Sequence, residues 1–194
     1  MKKITLSLVA ALAFGFAANA QTPDVKFGVK GGLNFSNLTN FNDASSLTGF
    51  HIGGLAEIFI NEKFSIQPEL LYSAQGASVD GPIYADGEFI GIIKDAKLKL
   101  NYINIPVMAK YYVWEGLNIQ AGPQFGFNVD SKLESVDVKD SFKTFDLGVN
   151  FGAGYELPVG LFFDARYNVG LTKVNKEGDN VKNGVFQLSV GYKF

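Results

Sequence analysis

The chain has 194 residues, no cysteine, and 17 Lys and Arg against 19 Asp and Glu, so it is neither cross-linked by disulfides nor basic enough to suggest a nucleic-acid partner. Hydrophobic residues make up 47% of the chain, with 18 Phe, 8 Tyr and 22 Gly, which excludes a disordered protein and favours strands over helices. Length and composition predict one folded domain.

The first twenty residues are predicted to be a secretory signal peptide. Lys2 and Lys3 precede an uncharged apolar stretch over residues 4–18, which is shorter than the roughly 20 apolar residues of a membrane-spanning helix. Small residues follow, and cleavage is expected between Ala20 and Gln21; an uncleaved anchor is the alternative. Residues 21–194 are then one exported domain, with 15 basic against 19 acidic residues once the two lysines are lost.

Eight segments of the exported chain alternate apolar and polar residues with a period of two, which predicts amphipathic β-strands. The apolar face carries no charge, whereas the opposite face is polar or glycine. Just before the fourth segment, Leu98, Leu100 and Tyr102 have the opposite parity, for which a bulge near Asn101 or a section outside the bilayer is the explanation. The eight segments are residues 25–35, 50–60, 64–74, 103–113, 117–127, 145–155, 161–169 and 186–194.

Short and long connections alternate along the chain. Three of them are turns of three residues and four are loops of 12 to 22 residues. This alternation is typical of a bacterial outer-membrane barrel, in which short turns face the periplasm. An even number of strands then places both termini on the periplasmic side. The predicted turns are residues 61–63, 114–116 and 158–160, and the predicted loops are residues 37–49, 76–97, 130–143 and 173–184.

The apolar face is expected to lie outside the barrel, against lipid. A soluble barrel with an apolar interior is the rival, but eight strands enclose too narrow a lumen for a face crowded with Phe, Tyr, Ile and Leu. Pro68, Pro106 and Pro123 lie within predicted strands, and each is expected to cause a bulge or distortion because it lacks an N–H donor. The prediction is an all-β fold, an eight-stranded antiparallel up-and-down transmembrane β-barrel preceded by a cleavable signal peptide.

Several motifs resemble the porin-family outer-membrane β-barrel domain. Residues 64–73 read FSIQPELLYS and residues 100–111 read LNYINIPVMAKY, and residues 121–123, 148–155 and 166–171 are similar to the family as well. The resemblance extends over residues 21–194 and implies a small barrel in the outer membrane of a Gram-negative bacterium, without implying a particular substrate. Asn104 departs from the family pattern, where an acidic residue is expected, and this leaves Lys110 short of one possible partner.

Five charged residues on the polar face are predicted to lie at a similar depth in the lumen. Because a buried charge needs a partner, a salt-bridged plug is the expected arrangement, and a narrow ion path is the alternative. The predicted lumen network consists of Glu57, Glu69, Lys110, Asp164 and Arg166.

His51 is the only histidine, and it is expected to face the lumen near the outer rim. A lipid-modifying enzyme of the outer membrane would place a general base there, but no Ser, Asp or Glu lies at a motif spacing from His51, so a rim hydrogen bond is favoured. The chain has no cysteine and no calcium-loop spacing, and it therefore predicts neither a metal site nor a cofactor.

The C-terminal strand resembles the signal by which outer-membrane barrels are recognised for assembly. A polar residue and a small residue are followed by two aromatic residues, the second of which ends the chain. This resemblance implies the barrel-assembly machinery as a partner. The residues of the pattern are Gln187, Ser189, Tyr192 and Phe194.

The favoured function is that of a non-enzymatic surface protein whose loops contact lipopolysaccharide, other cells or host molecules. A small-solute or ion channel is the alternative, and a lipid-modifying enzyme that uses His51 is the third candidate.

Overall fold

The computed structural model describes residues 24–39, 44–85, 88–134, 136–176 and 180–194. The predicted signal peptide and its cleavage site between Ala20 and Gln21 lie outside these residues. Within them the only helical element is a single 3₁₀ turn, Lys139–Ser141. No helix in the described part of the chain is long and apolar enough to cross a membrane.

The described residues form nine strands, and eight of them build one closed antiparallel barrel. Each strand pairs with the next one of the sheet, and the pairing of the first strand with the last closes the barrel. The two-residue strand β6 pairs only with β5, outside the barrel wall. The predicted all-β, eight-stranded antiparallel fold is therefore confirmed. The strands are β1 Val25–Thr39, β2 Ala44–Asn61, β3 Phe64–Ala85, β4 Glu88–Tyr112, β5 Leu117–Leu133, β6 Val136–Asp137, β7 Phe145–Glu156, β8 Leu161–Gly170 and β9 Lys182–Lys193.

The apolar faces of the strands point outward. Phe27, Ile52, Leu70, Ile119 and Phe151 are each between 54% and 59% exposed, whereas the polar positions that alternate with such residues are buried. A soluble barrel would bury these apolar side chains, since exposing them to water costs free energy. The inside-out distribution excludes the soluble rival and agrees with a lipid-facing surface.

The short turns share one end of the barrel with the first and the last of the described residues. Val25 pairs with Ile58, next to the first turn, and the backbone N–H of Phe194 donates to the carbonyl oxygen of Phe27. We call this the short-turn end and the opposite side the long-loop end. The connection predicted as a loop over residues 76–97 is mostly paired strand, because β3 and β4 continue through it as a hairpin. Its residues do not alternate as lipid-facing strands do, which is why the sequence pattern did not reveal them.

The even-numbered residues of β4 point inward from Ala96 to Lys110, so the bulge predicted near Asn101 is not in this strand. The register shift at that level lies in the β4–β5 pairing and leaves Val129 of β5 as the extra residue. Leu98, Leu100 and Tyr102 point inward and join an outer apolar cluster that fills the long-loop end, in agreement with the alternative of a section beyond the lipid-facing band. The buried members of this cluster are Leu38, Ala77, Val79, Ala96, Leu98, Leu100, Tyr102, Val174 and Val181.

The prolines interrupt the hydrogen-bond ladder without shifting its register. The pairing of β3 with β4 stops after Pro68 and resumes at Leu71 in the same register. The pairing of β4 with β5 stops after Pro106 and resumes at Ala109, and Pro123 lies in an uninterrupted pairing with β7. No bulge therefore occurs at these prolines. The gaps of two residues in the ladder are the local distortion that was the other expectation, and they accommodate the missing N–H donors.

Candidate functional site in the barrel lumen

Two ionic clusters fill the lumen towards the short-turn end. Inward positions recur at every second residue, so each barrel strand can contribute side chains at several heights. We call the first group the deep cluster and the second the rim cluster, which lies nearer the short-turn end. The deep cluster is Lys30, Glu69, Asp164 and Arg166, and the rim cluster is Glu57, Lys110, Tyr112, Glu156 and Lys193.

The deep cluster pairs two cations with two carboxylates. Arg166 Nη2 lies 2.7 Å from Glu69 Oε1 and 3.0 Å from Asp164 Oδ2. Lys30 Nζ lies 3.3 Å from Glu69 Oε2 and 3.4 Å from Asp164 Oδ2. All four side chains are at most 1% exposed. Because β3 does not pair with β8, these contacts cross the lumen and leave the cluster electrically neutral.

Glycines of β7 make room for the deep cluster. A Cβ atom at Gly152 would lie 2.8 Å from Cγ of Arg166, and one at Gly154 would lie 2.3 Å from Oδ1 of Asp164. Both separations are shorter than normal contacts, so a larger residue would displace the charged side chains. The glycine-rich polar face of this segment therefore gives the neighbouring strand space to reach the barrel axis.

The rim cluster is organised around Glu57. Its Oε1 accepts hydrogen bonds from Tyr112, at 2.8 Å, and from Ser65, and it forms an ion pair with Lys110 at 3.2 Å. Lys193 contacts Glu57 and lies 2.6 Å from Oε2 of Glu156. Lys26, whose side chain is partly exposed, lies 3.5 Å from Oε1 of Glu156, so the two carboxylates face two buried cations and one exposed cation.

The five charges predicted to form one network are placed in two clusters. Glu69, Asp164 and Arg166 belong to the deep cluster, and Glu57 and Lys110 belong to the rim cluster. Lys110 finds its partners in Glu57 and, at 3.1 Å, in Gln67, so Asn104 is not needed to pair it. Sequence reasoning missed four participants, although each has the parity of the polar face and could have been found by that rule: Lys30, Tyr112, Glu156 and Lys193.

His51 lies between a hydroxyl and an amide in the same lumen. Its Nδ1 is 2.8 Å from Asn34 Oδ1, and its Nε2 is 2.9 Å from Ser189 Oγ. Because an amide oxygen only accepts, the network assigns the proton to Nδ1, and Nε2 then accepts from Ser189. The sequence spacing did not suggest these partners, since cross-strand pairing with β1 and β9 brings them together. Ser189, His51 and Asn34 are thus arranged in the order of a nucleophile, a general base and an orienting group. However, His51 is only 1% exposed and Ser189 only 7%, so both side chains are buried in the lumen.

The C-terminal pattern is divided between the two faces of β9. Gln187 and Ser189 point into the lumen, where Gln187 Nε2 donates to Asn34 Oδ1 at 2.9 Å. Tyr192 and Phe194 point outward and are exposed. The described residues contain no group of three or more His, Cys, Asp and Glu side chains that could hold a metal ion.

Comparisons with known proteins identify the architecture. The model of a family described as outer membrane protein beta-barrel domain matches residues 19–176. Neisserial surface protein A has a similar solved structure, with a TM-score of 0.61 and 20% identity over 88% of this chain and 99% of that chain. Ail, the attachment invasion locus protein of Yersinia pestis, has a TM-score of 0.51 and 14% identity over 88% and 99%. No curated protein matches the sequence.

Proposed function

We propose that this protein makes contacts at the cell surface through its outer loops. The chain belongs to the outer membrane protein beta-barrel domain family and is an integral protein of the Gram-negative outer membrane. Its barrel is proposed to be closed to solutes, to catalyse no reaction and to hold its long-loop end outside the cell. The short-turn end, with both termini, then faces the periplasm.

The observation that carries this proposal is the pairing of charges across the lumen. In the deep cluster every cation lies within 3.4 Å of two carboxylate oxygens, and every charged side chain is buried. An ion that crossed this level would have to break buried pairs, and removal of one partner of such a pair typically costs about 3–5 kcal/mol. Towards the long-loop end, the outer apolar cluster contributes buried side chains that carry no charge.

The long-loop end offers the contact surface. The pairing of β4 with β5 begins at Leu98, so the hairpin that β3 and β4 form extends beyond the neighbouring wall. At its base Lys99 lies directly opposite Lys132, and both residues are exposed. Like charges in this relation repel each other. Asp130, 3.4 Å from Lys132, relieves part of this repulsion, and a lipopolysaccharide phosphate between the two lysines would relieve the rest. Lipopolysaccharide is therefore the proposed lipid partner, alongside an outer-loop partner on other cells or host molecules.

Conductance of the refolded barrel in a planar bilayer tests the closed lumen. Heat-sensitive migration on a gel would first confirm that the sample is folded. We expect no discrete current steps from the wild type. We expect steps from the charge-neutral variant Glu69→Ala/Arg166→Ala, which empties part of the deep cluster. Reproducible steps from the folded wild type would contradict the proposal and favour a channel.

The arrangement around His51 makes a lipid-modifying enzyme the specific alternative. A substrate acyl group cannot reach Ser189 without displacing the buried lumen network, so we expect no change in phospholipid or lipopolysaccharide incubated with the folded barrel. A product that appears with the wild type and disappears with both His51→Ala and Ser189→Ala would establish the enzyme instead.

A further inference from the structure

A cavity of about 410 Å³ opens at the long-loop end, separate from the lumen clusters. Its volume is within the range of small-molecule sites, roughly 300–1,000 Å³. Leu38, Leu98 and Val181 of the outer apolar cluster form its floor, and Phe142 packs against the same cluster. The cavity therefore has an apolar surface against which a ligand that enters from the long-loop end can pack. Its other lining residues are polar or charged: Asp140, Ser141, Asn175 and Lys176.

Two connections form one wall of this cavity and hold each other in place. The backbone N–H of Lys176 donates to the carbonyl oxygen of Ser141 at 3.0 Å, and Phe142 forms an isolated antiparallel bridge with Asn175. The N–H of Lys143 donates to the carbonyl oxygen of Val174, at 2.7 Å, and so extends this pairing. The segment that follows β6 and the segment that follows β8 are thereby joined, so the site is built before a ligand binds.

Opposite charges stand on the rim of the cavity. Asp140 and Lys176 are both exposed, and their side chains form no ion pair or hydrogen bond within the described residues. They are not paired with each other either, since no N···O separation of 4.0 Å or less joins them. One rim group is free to receive a cation and the other to receive an anion.

We propose that this cavity binds an apolar dipeptide in its zwitterionic form. The side chains of the dipeptide pack on the floor, its ammonium group pairs with Asp140 and its carboxylate pairs with Lys176. A fatty acid would satisfy Lys176 but would place no cation beside Asp140, and a single amino acid would leave much of the volume empty. This assignment goes beyond the proposed surface role and does not depend on whether the lumen conducts.

Calorimetry with the refolded barrel in lipid nanodiscs, using leucyl-leucine as the probe, tests the proposal. The free dipeptide should bind saturably, and both its N-acetyl and its C-amide derivative should bind more weakly. Asp140→Asn should weaken binding of the free dipeptide but not of the N-acetyl derivative. Lys176→Gln should weaken binding of the free dipeptide but not of the C-amide. Each effect is expected to be about two- to fivefold, the size of an exposed ion pair.

Variants that change the volume of the cavity locate the site. Ser141→Trp adds bulk at an exposed lining position and should abolish binding, whereas Ser45→Trp, at an exposed position that does not line the cavity, should leave it unchanged. No saturable binding by a barrel of confirmed fold would overturn the proposal. Octanoate binding that matches the dipeptide and is indifferent to Asp140→Asn would overturn the dipeptide assignment. Conductance is measured separately, so failure of the closed-lumen proposal would be recognised independently.

Discussion

Arg166→Met is the substitution that most directly probes the deep cluster. Methionine retains a long side chain but removes the guanidinium that lies 2.7 Å from Glu69 and 3.0 Å from Asp164. Two carboxylates would then share Lys30 alone, and the cluster would change from neutral to a net charge of −1. Both carboxylates are buried, so water cannot replace the lost partner without entering the lumen.

The size of the effect follows from this imbalance. Removing one partner of a buried ion pair costs about 3–5 kcal/mol, and because Lys30 still contacts both carboxylates we expect the lower end, about 3 kcal/mol. In Arg166→Met/Glu69→Gln one cation again faces one carboxylate, so we expect about 1–2 kcal/mol of the loss to be recovered through coupling between the two sites.

Urea unfolding in lipid vesicles measures both effects. The single tryptophan, Trp114, is exposed near the short-turn end and reports the transition by fluorescence, with heat-sensitive gel migration as a second probe. Lys132→Met is the control, because its ion pair with Asp130 is partly exposed and its loss should cost less than about 0.5 kcal/mol. If Arg166→Met unfolds at the wild-type urea concentration, or if the double variant is no more stable than the single variant, the reasoning fails.

Three further predictions concern the rim cluster, the close approach of strands and assembly. Lys110→Met should destabilise the barrel by about 1–3 kcal/mol, less than Arg166→Met, because Glu57 keeps its other partners; an unchanged urea midpoint would contradict the pairing. Gly32→Ala should be severely destabilising in the same assay, since its Cβ would lie 1.9 Å from a backbone oxygen of β9. Gly54→Ala, with 3.7 Å of clearance, should be tolerated, and equal stability of the two variants would contradict this contact. Deletion of Phe194 should lower the amount of barrel found in the outer membrane of cells, and unchanged levels would argue against the assembly signal.

The fold could be predicted from the sequence because the choice between a lipid-facing and a lumen-facing side chain alternates at every second residue. Lipid on one side and a narrow polar lumen on the other impose a period-two pattern on each strand, and Phe27 and Lys30 illustrate the two faces within four residues. The extent of the β3–β4 hairpin could not be predicted, because the alternation is imposed only on the part of a strand that contacts lipid. Leu98 and Tyr102 are apolar yet point inward, which reverses the rule and made the upper part of β4 look irregular.

The lumen clusters could be predicted only in part. The parity of a residue shows whether its side chain points into the lumen, but it does not show its position along the barrel axis. Counting residues from the short-turn end placed Glu57 and Glu69 in one layer, whereas tilted and staggered strands separate them into two clusters. The same stagger brings Lys193, next to the last residue, into contact with Glu57. Register across the closing β1–β9 pair determines such contacts, and no local pattern encodes it.

The balance of charge within each cluster bears on which end of the protein carries the function. A selective ion path is lined by an excess of one sign or by hydrated polar groups, since a permeating ion must be attracted and then released. Here the deep cluster is neutral by itself, and the rim cluster exceeds neutrality only by the partly exposed Lys26. Glu57, Glu69 and Asp164 each accept from more than one donor. This pairing of charges supports the proposal that the lumen is closed to solutes. Outside the lumen, Asp140 and Lys176 form no side-chain ion pair or hydrogen bond within the described residues. They stand above an apolar floor, and their opposite charges are the basis of the proposed dipeptide ligand.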